Sequence, residues 1–177
     1  NTGNLHLIIG SMFSGKTSKL IHLYNDFISQ NKKVAIINYI GDKRYHDSKM
    51  ATHDNIMVDC INAEHLSDVI MNDDIINAQI ILINEGQFFT DLFETTNKFV
   101  EEDNKTVYIC GLDGDFKRKK FGNLLDLIPL CDTVTKIHAN CNNCNKPAIF
   151  SHRVSNETEQ VLIGSSDYIP LCRKCYC

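Results

Sequence analysis

Leu5-His6-Leu7-Ile8-Ile9-Gly10-Ser11-Met12-Phe13-Ser14-Gly15-Lys16-Thr17 is the stretch that decides the fold of this chain of 177 residues. Its first part, Leu5–Ile9, is short and mostly apolar, which predicts a buried strand. After the loop, apolar residues recur at spacings of three and four, which predicts one face of a helix: Leu20, Leu23, Tyr24, Phe27 and Ile28. A strand, a glycine-bounded loop and a helix in this order are typical of the first unit of an α/β sheet.

The loop itself fits the pattern G-x-x-x-x-G-K-[ST] over eight residues: Gly10, Ser11, Met12, Phe13, Ser14, Gly15, Lys16 and Thr17. Glycines at such a turn let backbone N–H groups point at phosphate oxygens, and the helix that follows adds positive potential. In this pattern Lys16 contacts the β- and γ-phosphates, and the Thr17 hydroxyl ligates Mg²⁺. The alternative is an ordinary turn with a solvated lysine, which the strand–loop–helix context disfavours. The motif therefore predicts nucleotide binding.

Strands and helical segments continue to alternate up to residue 140. Further strands are predicted at Val34–Ile37, Ile80–Ile83, Thr106–Cys110 and Thr133–His138. Helices are predicted over Ala63, Leu66, Val69 and Ile70 and over Asp91–Glu102, the second with Leu92, Phe93, Phe99 and Val100 on one side. This alternation predicts a parallel sheet flanked by helices in residues 1–140. From Cys141 the chain changes to paired cysteines and a polar loop, which we interpret as a small zinc-binding subdomain over residues 141–177.

Asn84 and Glu85 follow directly after the predicted strand Ile80–Ile83. The carboxyl end of a parallel strand is where α/β sheets bind their ligands. Many phosphate-binding loops are accompanied there by an Asp that holds Mg²⁺, whereas Asn84 is neutral and a weaker partner. Glu85 is then an ordinary solvated charge, the carboxylate that accepts a proton from an attacking hydroxyl, or the residue that positions that nucleophile.

Four cysteines form two C-x-x-C pairs, Cys141 with Cys144 and Cys172 with Cys175. Each pair presents two sulfurs at a spacing that suits tetrahedral Zn²⁺, and four protein ligands leave no open position, as in a structural site. Disulfides and coincidence are the alternatives. Disulfides are disfavoured beside a nucleotide site in a reducing compartment, and coincidence is disfavoured by the pairing.

Charge and hydropathy bear on partners and location. The formal net charge of −4 disfavours a protein that grips nucleic acid by its phosphates. No apolar run approaches the roughly 18 residues of a membrane span, and the first residues lack the features of a signal peptide. We therefore expect a cytoplasmic protein whose main partners are neither nucleic acid nor membranes.

Taken in order, four features resemble the type II thymidine kinases, a family found in poxviruses, bacteria and the animal cytosol. They are the loop from Gly10 to Thr17, Asn84-Glu85-Gly86-Gln87-Phe88-Phe89, Gly111-Leu112-Asp113-Gly114-Asp115-Phe116 and the two cysteine pairs. The resemblance covers nearly the whole chain. It implies a P-loop NTPase-type parallel sheet with a C-terminal zinc-binding subdomain that carries a lasso loop. The implied activity is transfer of the γ-phosphate of ATP to the 5′-hydroxyl of thymidine, which yields dTMP in deoxynucleoside salvage.

The resemblance also implies a nucleoside site. Glu85 matches the general base of the family, and Asp42 and Arg44 match the pair that holds the deoxyribose hydroxyls. The segment Gln160–Tyr168 looks like the lasso loop. The remaining implied substrate contacts are Met12, Phe88, Leu112, Phe116, Phe121, Val161, Ile163, Gly164 and Tyr168. Without the resemblance, the phenylalanines would be interpreted as core.

Cofactors and partners follow from the same resemblance: structural Zn²⁺, Mg²⁺ with ATP (at Thr17 and Asn84), dTTP as feedback inhibitor and a homotetramer. Two alternatives are kept. One is a kinase for another deoxynucleoside on the same scaffold. The other is a nucleic-acid-stimulated ATPase with a zinc ribbon, which predicts a strongly basic zinc segment. The charge of residues 141–177 disfavours it, because this segment is not strongly basic. Its cations are Lys146, Arg153, Arg173 and Lys174, and its acidic residues are Glu157, Glu159 and Asp167.

Overall fold

A six-stranded sheet lies at the centre of the computed structural model, which describes residues 2–41, 49–51, 57–162 and 166–177. The strands before residue 140 are β1 (Asn4–Gly10), β2 (Val34–Tyr39), β3 (Lys49–Ala51), β4 (Met57–Asp59), β5 (Ile61–Ala63), β6 (Ile80–Asn84), β7 (Thr106–Gly111) and β8 (Thr133–Ile137). The sheet has the order β5-β2-β6-β7-β1-β8. Neighbouring strands in it are parallel throughout. All six carboxyl ends therefore lie along one edge of the sheet.

Helices cover both faces of this sheet. The helices are α1 (Lys16–Ser29), α2 (Asp73–Asn77) and α3 (Leu92–Asn97), and α3 continues as a π-helical turn over Lys98–Glu102. 3₁₀-helical segments lie at Leu66–Asp68, Gly86–Phe88 and Leu124–Leu130. None of the helices within the described ranges combines the length and the apolarity that crossing a bilayer requires.

The strands form because their side chains are buried on alternate faces. In β1, Leu7 packs in the core with Phe99, whereas Ile8 packs with Leu20 and Ile21 of α1. All five residues of β6 are buried, as expected of a strand covered on both faces. The residue after that strand is consequently fixed in position by the core beneath it.

Two local predictions were wrong, although the α/β class with a parallel sheet is confirmed. Ala63 belongs to β5, and the segment after it forms only the 3₁₀ turn Leu66–Asp68, so no helix spans Ala63–Ile70. The helical segment after Asp91 is confirmed, but Phe93 is 38% exposed and lies away from the buried side. In the first case, the pairing of Ala63 with β2 prevents the helix that the apolar spacing predicts. In the second case, Phe93 occupies a helix position that faces solvent although it is apolar.

The last part of the chain forms two small hairpins and one helical turn. Strand β9 (Ala139–Asn140) pairs with β10 (Pro147–Ala148), and β11 (Phe150–Arg153) pairs with β12 (Tyr168–Leu171). Helix α4 is a single turn, Arg173–Tyr176. The buried apolar cluster here is small: Ala139, Cys141, Ala148, Leu171 and Cys172. The division of the chain at residue 140 stays a prediction.

Candidate active site

The loop from Gly10 to Thr17 joins the end of β1 to the start of α1. Gly15 caps α1 in the left-handed region with φ 86°, and no side chain forms a capping hydrogen bond there. A residue with a Cβ would be strained in that conformation. The first turn of α1 contains no acidic residue, so the positive end of the helix is not offset by a carboxylate in that turn.

Lys16 is buried, with 7% of its surface exposed. Its Nζ donates to the Ser11 carbonyl oxygen at 2.6 Å and to Ser14 Oγ at 3.3 Å. Ser14 Oγ itself donates to the same carbonyl at 2.7 Å. The ammonium group is thus held inside the loop by two neutral oxygen acceptors, which the oxygens of a bound phosphate could replace.

Asn84 connects the loop side of the site to the sheet. Its side chain is fully buried and donates from Nδ2 to Asn38 Oδ1 at 2.8 Å. Its Oδ1 accepts from Cys110 Sγ at 3.0 Å and from Thr17 Oγ1 at 3.5 Å. One amide therefore links β2, β6, β7 and α1.

Glu85 occupies a special backbone position directly after β6. Its φ of 58° and ψ of 44° place it in the left-handed region, and 8% of its surface is exposed. That conformation costs a non-glycine residue on the order of 1 kcal/mol and is concentrated at functional sites. Its Oε2 accepts from Gln87 Nε2 at 2.8 Å.

Gln87 holds this carboxylate in place. It is 3% exposed, and its Oε1 accepts from the backbone N–H of Leu112 at 3.1 Å. A Cβ at Gly111 would collide with that oxygen, so the glycine allows the amide to bridge Glu85 and the end of β7. Sequence reasoning missed Gln87, whose role depends on a contact 25 positions away.

Aromatic rings extend from this edge of the sheet. Tyr39 stacks on Phe88 with ring centroids 5.0 Å apart, and Phe88 meets Phe121 edge-on at 5.5 Å. Phe121 is 5% exposed, whereas Phe88 and Leu112 are half-buried. Phe116 is also half-buried, beneath the guanidinium of Arg153 at 3.8 Å from its ring centroid. The predicted pocket residues thus include a core ring as well as partly accessible ones.

The C-terminal hairpins contact this site directly. The backbone N–H of Met12 donates to Ser151 Oγ at 2.9 Å, and the Tyr176 hydroxyl donates to the Phe116 carbonyl at 2.5 Å. Tyr168 is 8% exposed, and its hydroxyl donates to the Leu162 carbonyl at 2.9 Å. Neither Ser151 nor Tyr176 was recognised from the sequence, because ordinary serines and tyrosines carry no motif.

The two cysteine pairs converge. The sulfurs of Cys141, Cys144, Cys172 and Cys175 all lie within 4.8 Å of one another, and the Cys144 and Cys172 sulfurs are 3.6 Å apart. Tetrahedral Zn–S bonds of about 2.3 Å place sulfurs about 3.8 Å apart, so the arrangement fits such an ion. A hydrogen bond with the Cys144 sulfur is the main reason why the pKa of Cys175 rises to about 12. The cysteines are free thiols here, not disulfides.

Four of the predicted substrate contacts lie outside the described residues, namely Asp42, Arg44, Ile163 and Gly164. Val161 is 48% exposed at the entry to the lasso loop. Phe13 in the phosphate loop is exposed, with a φ of 63°. The structure brings Lys16, Thr17 and Asn84 together, and Glu85 follows immediately.

Comparison with known proteins finds one family over nearly the whole chain. The family model for thymidine kinase matches residues 3–176. A thymidine kinase of Sheeppox virus (strain KS-1) is 43% identical over 175 residues, covering 98% of this chain and 97% of the relative. One of Vaccinia virus (strain Western Reserve) is 42% identical over 177 residues, with 99% and 98% covered. Thymidine kinase a of Arabidopsis thaliana is 39% identical over 179 residues, with 99% and 75% covered.

Proposed function

The chain belongs to the thymidine kinase family, and we propose that it transfers the γ-phosphate of ATP to the 5′-hydroxyl of thymidine at the carboxyl edge of its sheet. The observation that carries the proposal is the contact between Thr17 Oγ1 and Asn84 Oδ1 at 3.5 Å. It joins the first turn of α1 to the last residue of β6. Glu85 is the next residue, and this contact supports its proposed place beside the loop that would hold the phosphates.

In this proposal the loop from Gly10 to Thr17 binds the triphosphate. Lys16 moves its Nζ from the Ser11 carbonyl to the phosphates and offsets the charge that develops during transfer. Glu85 accepts the proton of the thymidine 5′-hydroxyl as the new phosphorus–oxygen bond forms and the bond to ADP breaks. Gln87 keeps the Glu85 carboxylate oriented through the hydrogen bond at 2.8 Å.

Mg²⁺ would be held by Thr17 and Asn84 together with the phosphates. Hydroxyl and amide oxygens are ligands that suit this ion, and the two side chains already meet. The ion would neutralise phosphate charge. Because neither ligand is charged, most of its affinity would come from the nucleotide.

The nucleoside would lie beneath the lasso loop, Gln160–Tyr168. Met12, Phe88, Leu112, Phe116, Phe121, Val161 and Tyr168 are its proposed contacts among the described residues, together with Asp42, Arg44, Ile163 and Gly164. Zn²⁺ bound by the four cysteines would fix the hairpins that hold this loop. A homotetramer, feedback inhibition by dTTP and a cytoplasmic location belong to the same proposal.

The decisive experiment measures ATP-dependent phosphorylation of thymidine by the wild type and by Glu85→Gln. We expect kcat of the variant to fall about a hundredfold to ten-thousandfold, with both substrates still bound, because only the proton acceptor is lost. Calorimetry of thymidine and ATP binding checks that the site is intact. A variant that binds both substrates and keeps full activity would remove Glu85 from the chemistry.

A panel of thymidine, deoxycytidine and deoxyguanosine tests the choice of nucleoside. Pyrimidine discrimination is expected, since buried polar groups left unmet penalise a wrong base edge. A preference for deoxycytidine or deoxyguanosine would keep the kinase reaction and replace the substrate. ATP hydrolysis stimulated by DNA, without nucleoside phosphorylation, would instead overturn the kinase assignment.

A further inference from the structure

Arg153 is a buried cation at the end of β11. Only 6% of its surface is exposed. No carboxylate pairs with it in the part of the chain that the structure describes; its described partners are carbonyl groups, one hydroxyl and aromatic rings. Burying an arginine without an anionic partner is costly unless its donors are satisfied; among the described residues Nη1 and Nη2 have acceptors, whereas the buried Nε has none. The side chain therefore needs the particular loop conformation that supplies those acceptors.

The acceptors come from the segment that leads into the lasso loop. Nη1 donates to the carbonyl oxygen of Glu157 at 2.9 Å and to that of Glu159. Nη2 donates to the carbonyl oxygen of Gln160 at 3.2 Å and to the Tyr168 hydroxyl at 2.7 Å. One guanidinium thus gathers three carbonyls from a single stretch of backbone and one side chain from the far end of the loop.

A second set of contacts joins the same group to the predicted nucleoside pocket. The guanidinium carbon lies 3.8 Å from the Phe116 ring centroid and 5.3 Å from that of Tyr168. Tyr168 links Arg153 to Leu162, because its hydroxyl donates to the Leu162 carbonyl. In parallel, Gln160 Nε2 donates to Asp115 Oδ2 at 2.9 Å. Arg153 therefore contacts two of the predicted nucleoside residues, Phe116 and Tyr168.

We propose that Arg153 is the positioning residue that fixes residues 157–162 and Tyr168 for the nucleoside, an inference that rests on the proposed thymidine kinase function. It acts through Tyr168, the loop carbonyls and Phe116 rather than on the reacting atoms. Charge-assisted hydrogen bonds in a planar fork fix several carbonyls at once, which a lysine with a compact ammonium cannot reproduce. Without Arg153, residues 157–162 and Tyr168 lose their preorganisation, and each nucleoside that binds must order them.

The kinetic test compares Arg153→Met and Arg153→Lys with the control Arg173→Met. Arg173 is an exposed arginine at the start of α4, over the Phe150 ring. We expect Arg153→Met to raise KM for thymidine about tenfold to a hundredfold, with KM for ATP within about twofold. Arg153→Lys should recover only part of this loss, and Arg173→Met should match the wild type.

A second readout does not depend on activity. Glu157 and Glu159 are exposed, so a glutamate-specific protease reports on the segment that Arg153 holds. In the zinc-loaded, ligand-free protein, Arg153→Met should be cut at these positions at least about tenfold faster than wild type. Arg173→Met should be cut at the wild-type rate. Zinc content and circular dichroism establish that the rest of the protein is folded.

The outcomes separate the two proposals. A wild type that phosphorylates thymidine, together with an Arg153→Met variant of unchanged thymidine KM and unchanged cleavage rate, overturns the role of Arg153 alone. If wild type does not phosphorylate thymidine, the proposed function fails, while faster cleavage would still support the loop contact. If Arg153→Met loses its zinc, Arg153→Lys decides: a raised thymidine KM with zinc bound supports positioning, and an unchanged one overturns it.

Discussion

The parallel sheet and the C-terminal hairpins both contribute side chains to the candidate site, but different interactions hold those side chains in place. Beneath Asn84 and Glu85, the sheet supplies a core of apolar side chains packed on both faces, with β6 buried over its full length. The hairpins around Arg153 have an apolar cluster of five buried residues, two of which belong to the group of four cysteines. Such a small core rarely holds a fold by itself, so polar contacts and the proposed zinc ion would have to contribute.

In the proposed function the two regions would have separate tasks. Phosphate and proton chemistry needs groups fixed to a fraction of an ångström, which a packed sheet edge provides. The C-terminal hairpins would instead position the nucleoside through polar contacts such as those of Arg153. Substitutions on the sheet side should lower kcat, whereas substitutions that loosen the hairpins should raise KM for thymidine.

Among three further substitutions that compare the two regions, the largest effect is expected for Lys16→Met on the sheet side. Removing the ammonium should lower kcat about a thousandfold, because no other described side chain in the loop carries positive charge to the phosphates. KM for thymidine should change little. Steady-state kinetics with both substrates varied checks this, with Lys19→Met, an exposed lysine one turn further along α1, as control. A large rise in thymidine KM without loss of kcat would contradict the expectation that the sheet side determines kcat.

A smaller effect, on the other side, is expected for Cys172→Ser. Loss of one of four sulfurs should abolish zinc binding and loosen both hairpins, which raises KM for thymidine about tenfold or more. Metal analysis and kinetics on the same preparation measure both quantities. Cys177→Ser is the matched control, since Cys177 is exposed and lies outside the four-sulfur cluster. An unchanged thymidine KM in a zinc-free variant would show that the ion does not support the loop.

The smallest effect is expected for Asn84→Asp. A carboxylate beside Thr17 should lower the Mg²⁺ concentration for half-maximal activity roughly fivefold, equivalent to about 1 kcal/mol. The substitution removes the hydrogen bond that Asn84 Nδ2 donates to Asn38 Oδ1, so thermal unfolding of the variant is measured alongside. Magnesium titrations at saturating ATP and thymidine measure the change. A midpoint equal to that of wild type would place the magnesium ligand elsewhere.

Prediction from the sequence was strongest where local pattern and packing agree. The strand–loop–helix unit at Leu5–Thr17, the strand that ends at Asn84 and the cysteine pairs each carry a periodicity or a spacing that one fold satisfies. It failed over Ala63–Ile70, where a parallel pairing with β2 turned helical spacing into a strand and a short turn. Hydrophobic spacing does not distinguish such cases, because pairing partners lie far away in the chain.

The sequence by itself determined the α/β class, the family and the residues that could carry phosphate chemistry, since these depend on short motifs and on the order of apolar segments. Only the tertiary structure decided which side chains hold the reactive ones in place. Gln87 reaches Leu112, Met12 reaches Ser151 and Arg153 reaches Phe116. These contacts join residues 25 to 139 positions apart, and no local pattern encodes such a contact because it exists only once the chain has packed.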